Sequence, residues 1–152
     1  MEKDQKKACN DIKTIIKVCN DGAEGYQKAA KKTVNSNLQT LFNRIAQYRR
    51  GYAAELDREA RAIYGEEVGD IDSTKGDIHQ IWIDVKATFS GNTDEALLEE
   101  CIRGEKAALE TYEKVIEKDR LPLKLMDMVT LQFHEISASY RKMDILETAS
   151  NG

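Results

Sequence analysis

A single proline, two histidines and one tryptophan occur in 152 residues, and each scarcity closes off a class of explanation. With only Pro122 to interrupt them, long helices can run undisturbed. Two histidines, His79 and His134, leave little material for an imidazole-rich metal centre, and no nucleophile stands beside a base at motif spacing. No glycine-rich phosphate loop occurs. The cysteines Cys9, Cys19 and Cys101 form no CxxC pair and are odd in number, which excludes a zinc knuckle and a disulfide framework. No apolar run approaches the ~18 residues of a membrane-spanning helix, and "MEKDQKKACN" lacks the apolar stretch of a secretory signal. The chain is therefore read as cytoplasmic, with no membrane span. Charge of one sign is also missing in blocks: Lys+Arg 23 and Asp+Glu 27 are interleaved, for a net charge of −4. The small clusters "KKACNDIK" and "KAAKK" are solvated helix faces, and nucleic acid is excluded as a partner.

What remains is a chain rich in Ala, Leu, Glu, Lys and Arg, residues that lose little freedom in a helix, with enough apolar content for one core over residues 1–152. The first helix carries Ile12, Ile15, Ile16, Cys19, Ala23, Tyr26 and Ala30 at three-and-four spacing and ends near Lys32. Ser36 or Asn37 can cap a second, whose stripe is Leu38, Leu41, Ile45, Tyr48 or Arg49, Tyr52, Leu56 and Ile63, with Gly65 as its stop. After a polar loop, a shorter helix is predicted over about 75–89, with Ile78, Ile81, Trp82, Val85 and Phe89 on one side. Asn92 and Glu95 open the third long helix, which places Leu98, Cys101, Glu105, Ala108, Tyr112 and Val115 on its seam to about Lys118. Pro122 starts the fourth, with Leu125, Met128, Gln132, Ile136, Ser139, Met143 and Leu146, ending near Glu147.

Two segments echo each other. "AEGYQKAAKK" from Ala23 and "LETYEKVIEK" from Leu109 share Glu two before Tyr and Lys two after it, which aligns Tyr26 with Tyr112. Each half is thus predicted to be one helical hairpin of a duplicated pair. A helix of about 28 residues is roughly 42 Å long, so the connection between halves must run back along the bundle. The expectation is an all-α, up-down-down-up four-helix bundle with a short extra helix in the crossover.

The blocks "DGAEGYQKAA", "RRGYAAELDRE", "IWIDVKA" and "EECIRGEKAALETYEK" resemble those of a bacterial ferritin-like family labelled domain of unknown function 2383. The resemblance spans about Ile12 to Leu146. It implies a ferritin-like four-helix bundle and no established activity.

Di-iron bundles of that superfamily take a Glu from each of two helices and a Glu-x-x-His from each of the other two, all projecting inward. The residues three before His79 and His134 are Gly76 and Leu131, so no Glu-x-x-His exists. By resemblance to metal-binding relatives, Arg49 stands where the second helix would carry Glu, and Tyr52 where it would carry His. Seven before Tyr112 is the ligand-like Glu105; seven before Tyr26 is Cys19. Cys19, Arg49 and Tyr52 are thus vacated ligand positions. A carboxylate on the core seam requires a partner, and Arg49 on a facing helix is the expected one, forming a core ion pair; a slight rotation would instead leave Glu105 in water at the rim. Tyr52 is expected to fill the volume of the missing imidazole. Glu24, Glu110 and Glu113 fall on polar faces, Glu55 adjoins the interior, and His134 is expected to be exposed.

Three functions from different classes follow. The first is a non-enzymatic bundle with a degenerate metal site, acting by self-association or partner binding, with Trp82 as a contact element or a cap on the core. The second is a metalloprotein using Glu24, Glu55, Glu105 and His134 in an irregular site. The third is a small-molecule carrier using an interior lined by Ala23, Ala108 and Ser139. No cofactor is expected under the first reading.

Overall fold

A computed structural model describes residues 3–69 and 93–151 of the chain. Among the described residues the regular structure is entirely helical: α1 (Lys3–Lys32), α2 (Ser36–Tyr64), a 3-10 turn (Gly65–Val68), α3 (Thr93–Lys118) and α4 (Leu123–Asn151). The short helix expected over 75–89, with Trp82 on it, lies outside the described residues, as does the expected cap Asn92.

α1 buries every residue of its predicted stripe and extends it toward the N-terminus with Ala8 and Cys9. Asn35, rather than Ser36 or Asn37, caps α2: its side-chain oxygen accepts the amides of Asn37 at 2.9 Å and Leu38 at 3.1 Å, two donors that the first turn leaves unpaired. Thr33 fixes the turn before it, accepting the Asn35 amide and donating to Asp94 at 2.6 Å. α2 ends where Gly65 takes φ 65°, which lets its amide reach the Arg61 carbonyl. The buried face of α2 is rotated slightly from the expected one. Phe42, Ala46 and Ala53 are inside, Leu38 and Leu41 are half-buried, and Ile63 is exposed. Of the two positions left open by the sequence, Arg49 is buried and Tyr48 is 57% exposed. At the head of α4 the Pro122 carbonyl accepts the Met126 amide at 2.9 Å, and the helix runs past Glu147 to Asn151.

α1 packs along α2 and α3 along α4; α1 also meets α3, and α2 meets α4. Side-chain bonds fix the directions. Asp11 pairs with Arg120, Cys19 meets Tyr112 and Thr33 meets Asp94, so α1 and α3 are antiparallel. Glu59 pairs with Lys124, Glu55 with Gln132 and Tyr52 with Glu135, so α2 and α4 are antiparallel as well. The core divides into two apolar clusters. One holds Ile12, Ile15, Leu56, Tyr112, Val115, Leu125 and Ile136. The other holds Tyr26, Phe42, Leu98, Cys101 and Met143. Arg49 lies between Ala46 of the second and Ala53 of the first, and Glu105 between Cys101 and Ala108 in the same way. A polar layer therefore crosses the bundle between two greasy ends.

Candidate functional site

An arginine in a helix core is costly unless its charge and its five N–H donors are satisfied. Glu105 supplies the counter-charge and takes two of those donors. Arg49 Nη1 donates to Glu105 Oε1 at 2.5 Å and its Nη2 to Oε2 at 2.7 Å, a bidentate fork between side chains 3% and 0% exposed. The guanidinium carbon also lies 5.7 Å from the centre of the Tyr26 ring, within range of a cation–π contact. Burial opposes the Arg49 cation, but the charge and hydrogen bonds of Glu105 outweigh it and raise the arginine's pKa, so the cation is permanent. Burial, then the Glu105 charge, pushes the Tyr26 hydroxyl and the Cys101 thiol well above their ordinary values.

A second set of bonds runs beside this pair. The Tyr112 hydroxyl donates to Gln132 Oε1 at 2.7 Å, which leaves its oxygen to accept the Cys19 thiol at 2.9 Å. Gln132 Nε2 in turn donates to Glu55 Oε1 at 2.8 Å, so the chain of bonds leads from a buried thiol to the bundle surface. Burial pushes the Cys19 thiol up to about 11, only partly offset by the Arg49 charge, and it stays protonated and unreactive at neutral pH. Tyr52 is half-buried, and its hydroxyl turns outward to Glu135 on α4; burial and that bond raise its pKa.

The predicted residues thus fall into two groups. Cys19, Arg49, Tyr52 and Glu105 all belong to this layer. Glu24 sits on the surface pairing with Lys28 at 3.4 Å, Glu110 and Glu113 are exposed, and His134 is exposed against the edge of Phe133. No three of Glu24, Glu55, Glu105 and His134 are gathered. Among the described residues, the potential metal ligands that do lie within 4.8 Å of one another are Glu95, Glu99 and Glu147, near the other end of α3. Ala23 and Ala108 are closed in the core, while Ser139 lines an open groove of about 360 Å³ with Tyr48, Tyr52, Glu135 and Ala138.

Two members of the layer escaped the sequence reading as site residues. Periodicity puts Gln132 on the apolar stripe without giving it a role, and Glu135 falls off that stripe. The signal was positional: Gln132 and Glu135 repeat on α4 the three-residue step of Arg49 and Tyr52 on α2. A search for the literal letters Glu and His passes over it. The buried Asp11 was missed as well; it accepts Arg120 Nε and Nη2 at 3.0 Å and ties α1 to the turn before α4.

The layer supplies three carboxylates: Glu105 inside, already clasped by a cation, and Glu55 and Glu135 at the edge, which accept bonds from Gln132 and Tyr52. With an amide at Gln132, a protonated thiol at Cys19 and a guanidinium at Arg49, the donor set does not suit two hard cations, which need several anionic oxygens or imidazoles.

No curated protein and no solved structure matches the chain. A family model does match, over residues 7–118, from the opening turns of α1 to the last residue of α3, and it takes in Cys19, Arg49, Tyr52, Glu105 and Tyr112. On that match, the chain belongs to the family described as Domain of unknown function (DUF2383).

Proposed function

We propose that this protein is a ferritin-type bundle in which a cation of the chain itself has taken over the place of the metal, and that it acts by association with protein surfaces and not by catalysis. The antiparallel contacts of α1 with α3 and of α2 with α4, combined with two tight hairpins, support an up-down-down-up path. Reciprocity between the halves supports duplication: Cys19 of α1 engages Tyr112 of α3, and Glu105 of α3 acts on Tyr26 of α1. Under that symmetry the six inward positions of a di-iron bundle correspond to Cys19, Arg49, Tyr52, Glu105, Gln132 and Glu135.

The observation that carries the reading is the bidentate Arg49–Glu105 bond. A carboxylate that once served a metal still needs a positive charge when buried, and a guanidinium is the side chain whose fork and permanent charge match it. The three cysteines are buried, which keeps the strongest nucleophiles of the chain away from substrates. Thermal melting with excess Fe(II), Mn(II) or Zn(II) tests the reading, since a metal held by the folded form at 100 times its Kd adds about 2.7 kcal/mol. No rise in Tm is expected. A rise of several degrees, abolished by Glu105→Gln, contradicts it.

A further inference from the structure

α4 differs from the other helices in being apolar on two sides. Its inner side buries Leu125, Val129, Ile136 and Met143. On its outer side Leu131 is 61% and Ile145 69% exposed, and the exposed Ala138 lies midway between them, seven residues from each. Seven residues are close to two helical turns, so the three share one line down the outside of the bundle. Tyr48 of α2, exposed and lining the same groove as Ala138, widens the patch.

We propose that this face is the self-association surface of the protein, and that its occupant is α4 of a second copy, antiparallel about a two-fold axis at Ala138. This rests on the association reading above and names its surface. The sequence of the face is self-complementary in that arrangement. Leu131 meets Ile145 of the second copy and the reverse, and Ala138 meets Ala138, where the small side chain lets the backbones approach. Glu135 then lies beside Lys142 of the second copy, on the same flank of the seam. Both are exposed, and among the described residues neither belongs to an ion pair within its own chain. A parallel pairing would carry Glu135 and Lys142 of the second copy to the opposite flank and separate the two charges, so charge favours the antiparallel one. The face is narrow, and the dimer belongs with the weaker, concentration-dependent class.

Sedimentation velocity of the full chain over a concentration series, together with oxidative cross-linking of Ala138→Cys, tests this. The expected result is a shift from the 17.2 kDa monomer toward twice that mass, a disulfide-linked Ala138→Cys dimer, and none from the parent chain, whose cysteines are buried. Leu131→Glu with Ile145→Glu weakens association at least ten-fold with unchanged helix content and Tm. Lys142→Glu weakens it several-fold, and Glu135→Lys added to Lys142→Glu restores it. A dimer that survives the paired Glu substitutions, or that cross-links through Leu131→Cys in place of Ala138→Cys, overturns this surface and leaves self-association standing. A monomer at every attainable concentration overturns the surface and removes self-association from the proposed function.

Discussion

Replacing Arg49 by alanine removes the one cation that, among the described residues, is bonded to a carboxylate that is 0% exposed. Glu105 is then left charged in the core without a counter-charge, and a cavity opens where the guanidinium lay against Tyr26. Breaking a buried pair from one side costs about 3–5 kcal/mol. At roughly 2–4 °C per kcal/mol for a domain of this size, the melting temperature should fall by about 6–20 °C. Glu105→Gln should cost less, because the amide still accepts a bond from the guanidinium and leaves no void. Replacing both partners by apolar residues, Arg49→Met with Glu105→Leu, should recover the loss and reach the parent's stability or exceed it by up to about 4 kcal/mol, since neither charge then remains to be desolvated. Circular dichroism of the four proteins against temperature and urea measures the series. The reasoning is refuted if Arg49→Ala costs less than about 1 kcal/mol, the scale of an exposed pair.

Tyr112→Phe deprives the Gln132 carbonyl oxygen of its donor and the Cys19 thiol of its acceptor, and is expected to cost about 1–3 kcal/mol in urea denaturation. Stability should also fall at high pH: Cys19 titrates near 9.0 when unfolded and at about 11 when folded, so the native state holds more protons between those values. The contribution is complete below about pH 9 and lost through about pH 11, with Tyr26 and Tyr112 acting in the same direction; a urea midpoint constant over that range would contradict it.

Much of this structure was legible as periodicity. The stripes of α1 and α3 carry an apolar or small residue at nearly every inward step, and both are buried as the spacing requires. α2 was less clear because Tyr48 and Arg49 both fit its stripe. A tyrosine looks like the core residue, and the choice fell to arginine because Glu105 on another helix satisfies it, which no local pattern records. Apolar residues thin out beyond Leu146, which points to an end near Glu147, but nothing there stops a helix and α4 runs on to Asn151. The ion pair could be inferred from two seam positions that each demanded a partner. The Tyr112–Gln132–Glu55 bonds could not, because glutamine on an apolar stripe gives no sign of which way its amide faces.

Metal content measured by mass spectrometry, on protein purified without chelators from iron-supplemented cells, tests the central claim most directly. If Arg49 supplies the charge that a metal would otherwise bring, iron, manganese and zinc together should fall far below one atom per chain. One or two atoms of iron per chain, lost on Glu105→Gln, would contradict the account.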